Sequence, residues 1–324
     1  MSASHHQDTP VADSLAALEP TRVPVQDVSA IARGPYDPAG QPRLASPGFV
    51  LGLDGWNLRP WPEARELVVE AERLGFGLVV AAQAEQEDGL DAFAASNTVA
   101  ADSARVLVAP SVSLRAHLHP MHVARFVANI DHVAGGRGAL VFNAGDDAAR
   151  AALFGLAPAA EPEAEADEFV TLVKHAWAWS TPFGFEGHYY ASRRAWLCGP
   201  RPSRSPRPFL ALRGGADVID AAARSFDWLI VDGAADVSVA RAARDRAVLG
   251  YGRRLAVFAS MAVAVTPAGD LAAHLAALAQ VECFDGVLLT FDDGLRGLHE
   301  FGARVLPALT ANALRWPVVP GGMG

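Results

Sequence analysis

Short apolar runs recur along this chain with helical stretches between them, and that rhythm limits the fold more than any other feature. The runs occupy residues 49–53, 77–82, 105–110, 138–142, 208–212, 227–231, 255–265 and 285–290. Brief apolar stretches bounded by turn residues read as fully buried strands. Between the first two lies a well-punctuated helix. It has Pro62 at its start, Glu63 near its positive end, and Ala64, Leu67, Val68, Ala71 and Leu74 on one face, and Gly75 closes it. Strands alternating with helices call for a parallel sheet, and eight of them predict a closed α/β architecture, the (β/α)8 TIM barrel. The alternative is an open doubly wound sheet, but no Gly-x-Gly-x-x-Gly follows the first strand. The reading divides the chain into an N-terminal arm or disordered leader (1–47), the barrel (48–310) and a C-terminal tail (311–324).

Residues 119–145, HPMHVARFVANIDHVAGGRGALVFNAG, compress one unit of that fold. Pro120 suits a first helical turn, where a missing N–H costs nothing. Val123, Phe126, Val127, Ile130 and Val133 follow at steps of three and four, one helical face, with Phe126, Val127 and Ile130 expected against the barrel. Gly135-Gly136 stops the helix, a buried strand follows, and Asn143-Ala144-Gly145-Asp146 makes a polar loop at its C-terminal end, where α/β folds place ligands.

This stretch resembles the bacterial luciferase-like flavin monooxygenases, most closely the nitrilotriacetate and sulfone monooxygenase branch. The resemblance rests on His119, Pro120, His122, Ala124, Arg125, Ala128, Asp131, His132, Gly135, Gly136, Arg137 and Asn143. It extends to Phe185-Glu186-Gly187-His188-Tyr189-Tyr190, in the long gap between the fourth and fifth strands, and to the last strand and helix. By implication the barrel mouth holds flavin mononucleotide (FMN) without a covalent bond. Gln83, Ser111 and Asn143 would line its ring and Arg213, Gly214 and Gly215 would meet its phosphate. His117 and His119 become candidate catalytic residues at the rim. Asp131 and His132, on a helix beyond the mouth, are expected to fix helix against strand.

The chain also departs from the family. Ala144-Gly145-Asp146 replaces Val-Thr-Ser, and Ala216 stands where a hydroxyl would bind phosphate. Glu161-Pro162-Glu163-Ala164-Glu165 fills the place of a His-x-x-Arg-Tyr motif, and only residues 266–283 separate the last two strands, where relatives carry a lid insertion. Arg213 can bind phosphate or pair with Asp232 at the rim, and the sequence leaves both open.

Charge and composition narrow the function classes. A net charge of −9 disfavours nucleic acid and anionic membrane as partners, and no apolar run reaches the length of a membrane span. The start MSASHHQDTP lacks the apolar core of a secretory signal, and Cys198 and Cys283 lie far apart, which suits a cytoplasmic protein with Cys283 buried. His117, His119 and His122 do not converge as zinc ligands should, because the helix beginning at Pro120 turns His122 away; no metal is expected.

Two functions follow. The first is a two-component monooxygenase that receives reduced FMN from a separate flavin reductase and oxidises a small organic substrate. The second is a non-catalytic barrel, with weak or lost flavin binding, that serves as a partner subunit or binding protein. The resemblance also implies a homodimer, or a heterodimer with a full-length relative, through the helix 122–133. There Ala124, Ala128 and Ala134 would allow close approach.

Overall fold

The computed structural model describes residues 25–27, 41, 48–83, 89–113, 118–144, 162–203, 207–232, 236–263 and 268–311. Eight parallel strands close into a barrel: β2 (Val50–Asp54), β3 (Leu78–Ala81), β4 (Leu107–Ser113), β5 (Ala139–Asn143), β8 (Phe209–Arg213), β9 (Trp228–Asp232), β10 (Ala256–Val263) and β11 (Gly286–Phe291). Their order around the barrel is the order of the chain, and β11 returns to β2 through Gly286↔Val50 and Leu289↔Leu53. All eight expected strands are present, shifted by one to three residues at their ends. The helices are α1 (Trp61–Arg73), α2 (Ala92–Asp102), α3 (Pro120–Val133), α4 (Pro162–Ala178), α5 (Ile219–Ser225), α6 (Val237–Asp245), α7 (Ala268–Gln280), α8 (Gly294–Glu300) and α9 (Leu306–Ala311). The connection from β10 to β11 is a crossover carrying α7, with no room for a lid insertion.

A separate three-stranded sheet lies outside the barrel. In it β1 (Val25–Asp27) pairs in parallel with β6 (Phe183–Glu186), which pairs antiparallel with β7 (Ala191–Ala195). The long link between β5 and β8 thus holds α4 and a sheet of its own.

Two cores result from closure. Val50, Leu78, Val80, Leu107, Ala109, Val141, Phe209, Trp228, Ile230, Phe258 and Leu288 belong to a cluster of their own inside the barrel. Phe209 stacks on Trp228 at 4.5 Å between ring centroids, so this interior is filled rather than open. The alternate residues face outward and join a larger cluster with the helices. Aromatic rings link it towards the rim: Phe142 meets Phe169 edge-on at 5.6 Å, and Phe169 meets Tyr190 at 5.8 Å.

The unit 119–145 is built as expected at its stop. Gly135 and Gly136 take φ of 63° and 87°, left-handed values that favour glycine. Asp131 then locks helix to strand: its Oδ1 accepts from the Gly138 N–H at 2.9 Å, and its Oδ2 accepts from the Ser203 N–H at 2.7 Å. Arg137, buried, donates to the carbonyls of Val106 and Ser103 at 2.6 and 2.7 Å. The face of α3 differs from expectation. Val123, Val127 and Ile130 are buried, but Phe126 and Val133 are 39% and 47% exposed. Ala124, Ala128 and Ala134 are buried, not free for a partner. Trp177 explains this in part, since its indole N–H donates to the Ala124 carbonyl at 2.8 Å: the small residues admit α4, not another chain.

At the bottom of the barrel Asp227 is the strongest polar junction. Its carboxylate accepts from both Nη1 and Nη2 of Arg207, at 2.7 and 3.1 Å, and from the Leu210 N–H at 2.8 Å. Both side chains are almost wholly buried. A two-pronged pair with a backbone donor is satisfied in place, whereas one partner left alone is an uncompensated buried charge. Asp227→Ala is therefore expected to cost about 3–5 kcal/mol of stability, read as a lower urea midpoint. A loss under about 1 kcal/mol would show that the pair is not what joins β8 to β9.

Candidate active site

Seven of the eight barrel strands, all but β3, change character near their C-terminal ends. The inward sequence runs from Val50 to Asp54 in β2, from Ala109 to Ser111 in β4 and from Val141 to Asn143 in β5. In β8, β9, β10 and β11 it runs from Ala211 to Arg213, Ile230 to Asp232, Phe258 to Ser260 and Leu288 to Thr290. Because inward positions recur every second residue, these polar groups form the top layer of the barrel interior. This is the face on which barrels of this class carry their chemistry.

Arg213 dominates that layer. Its Nη2 donates to Asp54 Oδ2 at 2.5 Å, and its Nε lies 3.6 Å from Asp232 Oδ1. β8 stands four strands from β2 around the closed sheet, so the first contact spans the mouth. Asp232 is the rim partner nearer in sequence, but the closer contact is with Asp54, a residue 159 positions away. Asp54 Oδ1 and Arg213 Nε are both buried without a hydrogen-bond partner. The Asp232 carboxyl is raised above its usual range by partial burial and by the Asp54 charge, with Arg213 opposing.

Ser111 and Asn143 are brought together: the Ser111 hydroxyl donates to Asn143 Oδ1 at 3.1 Å. Gln83 supports the same wall, its Oε1 accepting from the Ser113 N–H at 3.1 Å. Gly214 serves packing, since a Cβ there would meet Val218 Cγ2 at 2.7 Å, and its N–H donates to the Ile230 carbonyl at 3.0 Å. Gly215 precedes a turn of 3-10 helix, Ala216–Val218. His119 caps α3, its Nδ1 accepting from the Met121 N–H at 3.2 Å, which leaves the ring proton on Nε2. Desolvation, with His122 adding a smaller effect, lowers its pKa, so the neutral form prevails. Its ring meets Tyr190 edge-on at 5.6 Å. His117 lies outside the described residues.

Sequence reasoning missed three supports of the mouth. Asn57, fully buried, donates from Nδ2 to the carbonyls of Ala82 and Leu90, both at 2.7 Å, tying the loop after β2 to that after β3. Arg59 donates to the carbonyls of Phe291 and Asp292 at 2.7 and 2.8 Å, closing the seam between β11 and α1. Glu168 gathers the N–H groups of His188, Tyr189 and Tyr190 at 2.7, 2.8 and 3.1 Å, shaping the segment quoted for the resemblance. Asp54 and Asn57, polar residues in the turn directly after a predicted strand, were the available signal for the first.

The charge arrangement has a direct test. Removing the Asp54 carboxylate takes away a repulsion that raises Asp232 and frees Arg213 to turn towards it. Asp54→Asn is therefore expected to lower the Asp232 pKa, followed by carboxyl-carbon NMR titration; an unchanged or raised value would mean that the two carboxylates do not sense each other.

Comparisons with known proteins bear on the whole barrel. Residues 36–304 match the model of the family described as luciferase-like monooxygenase. Comparison with curated proteins finds no match. Among solved structures, a riboflavin lyase with modified FMN and substrate riboflavin is similar with a TM-score of 0.71 at 17% identity, over 85% of this chain and 94% of that one. EDTA monooxygenase from Chelativorans sp. BNC1 gives 0.71 at 14% identity, over 86% and 97% of the two chains. An F420-dependent secondary alcohol dehydrogenase, in complex with an F420-acetone adduct, gives 0.67 at 15% identity, over 81% and 99%. At such identities these likenesses speak for the fold, while the family match spans most of the chain. The chain belongs to the luciferase-like monooxygenase family.

Proposed function

We propose that this protein is a flavin-dependent monooxygenase of a small organic substrate, using FMN supplied in reduced form by a separate reductase. The observation that carries the reading is the single polar layer, Asp54 to Thr290, on top of a filled apolar barrel. The riboflavin lyase structure, with its modified FMN, supports a flavin-type cofactor, and the EDTA monooxygenase supports a monooxygenase reaction. The F420-dependent dehydrogenase is the reason to test the deazaflavin coenzyme as well.

The residues suit the ring of a flavin better than its phosphate. Ser111, Asn143 and Gln83 offer hydroxyl and amide groups along one wall, and buried unpartnered atoms on Asp54 and Arg213 invite a polar neighbour. At the phosphate end Arg213 is compensated by Asp54, the Gly214 N–H is taken by Ile230, and Ala216 brings no hydroxyl. Arg213 with Gly215 would hold the phosphate only by exchanging Asp54 for it. A bound reduced flavin supplies the electrons that activate oxygen. This chain's part is to orient, to exclude water, and to donate a hydrogen bond from neutral His119, with His117 a second candidate from the sequence alone.

The same depleted phosphate end favours, as a second reading, a non-catalytic barrel acting as a partner subunit. Titration decides between them. FMN and riboflavin are expected to bind within about threefold of each other, with FMN at micromolar affinity or weaker. Asp54→Asn should then improve FMN alone by about tenfold, roughly 1.4 kcal/mol. Absence of any flavin spectral change in either protein would favour the partner-subunit reading. A tightly retained stoichiometric flavin would show that other groups hold the phosphate.

For assembly, we propose a two-fold homodimer through α2 and α3. The half-exposed Phe126 and Val133 border a groove of about 680 Å3 with Phe93 and Leu118. Light scattering should report twice the chain mass of 34.1 kDa, and Phe126→Asp should return it to one. A wild-type monomer would instead favour a heterodimer with a full-length relative.

A further inference from the structure

Among the described residues, the charges at the barrel mouth do not balance. Arg213 stands between Asp54 and Asp232, one guanidinium against two carboxylates. Among the described residues it is the sole cation in the inward-facing top layer. Arg59 is the next nearest in sequence to that layer, and its guanidinium is already engaged by Glu63 and by the carbonyls of Phe291 and Asp292. More acid stands at the rim: Glu165, which accepts from the Tyr190 hydroxyl at 3.3 Å, and the exposed Asp292 and Asp293.

Asp54 makes the imbalance specific. Its side chain is 6% exposed and faces into the barrel, yet only Oδ2 is engaged. Oδ1 is buried with no donor opposite it. A buried carboxylate oxygen is an acceptor that costs free energy until a donor reaches it. Asp232, on the adjacent side of Arg213, has its charged form disfavoured by desolvation and by Asp54. The two carboxylates therefore share one guanidinium and Asp54 Oδ1 has no N–H donor, while the one group that would welcome an anion is already paired. Electrostatic complementarity selects a ligand of the opposite sign.

We propose that the mouth selects a substrate carrying a protonated amine, whose N–H groups supply the positive charge missing beside Asp54 and Asp232. This rests on the enzyme reading above and names its substrate class. It separates this chain from a barrel built for a polycarboxylate: a carboxylate ligand would meet a surplus of acid, and only displacement of Asp54 would open Arg213 to it. Asp232, 60% exposed, is the group an incoming ammonium reaches first, with Asp54 behind it across the guanidinium.

Two probes of matched shape test this on the full chain by ligand-observed and protein-observed NMR titration: benzylammonium and benzoate, with benzyl alcohol as the uncharged control. Benzylammonium is expected to bind wild type about tenfold or more tighter than benzoate. Asp232→Asn and Asp54→Asn should each cut that preference by about threefold or more, and the double variant should invert it, because Arg213 is then uncompensated. Asp232→Asn, at an exposed rim position, keeps the test independent of folding at the buried Asp54. Equal binding of the two probes to wild type, an undiminished preference in the variants, or no binding of either probe would each overturn the proposal. FMN titrated in parallel separates the two readings. FMN binding without an ammonium preference overturns this inference alone, and an ammonium preference without FMN binding overturns the flavin reading alone.

Discussion

A closed eight-stranded barrel gives each strand two destinies, and only the inward one ends at the mouth. Inside, Phe209, Trp228 and Phe258 fill the lower volume, so no ligand can pass through and any chemistry must sit on top. The next inward residue past the apolar layer, two positions on in most strands and beyond Gly52 in β2, is therefore committed to the site by geometry. Asp54, Asn143, Arg213 and Asp232 are there because the strands that carry them must alternate. The same closure sets β2 opposite β8, and so allows one ion pair to span the opening between residues far apart in sequence.

That division explains what could be read in advance. Strand existence follows from local apolar runs, and all eight are where composition and turn residues put them, as is the glycine stop after α3. Periodicity fails where it cannot see neighbours. Phe126 lies on the apolar face of α3 by spacing, but the side facing the barrel is narrower than that stripe, and the ring ends in a groove beside Phe93, 5.1 Å away. Ala124 and Ala128 are small for the sake of α4, a contact invisible until the chain between β5 and β8 is folded.

The site was legible in its parts and not in its pairings. The family resemblance points to Gln83, Ser111, Asn143 and Arg213, because it needs only strand ends to place them. It did not find that Arg213 prefers Asp54, since Asp232 is nearer in sequence and the choice depends on how side chains cross the mouth. Nor did it find Asn57 or Arg59, whose partners are backbone carbonyls of other loops and leave no trace in side-chain patterns. Such groups hold the walls in place, and a polar layer without them would have no fixed shape.

Glu168 carries a consequence for how such a barrel can change. The sheet formed by β1, β6 and β7 hangs outside the main fold, and the turn that joins β6 to β7 is gathered by that one carboxylate, with Gly187 so close that a Cβ would fall 2.3 Å from its Oε2. The turn is thus a plug and socket: one acid on α4, one glycine and three consecutive N–H groups. Behind it Phe183 and Phe185 are buried in the main core and pack against His175 of α4, so the strands of the appendage are tied to the barrel while the turn is fixed by Glu168. Lineages sharing this barrel can therefore reshape that wall of the mouth only by exchanging the turn together with its packed base, acid, glycine and the two phenylalanines as one set.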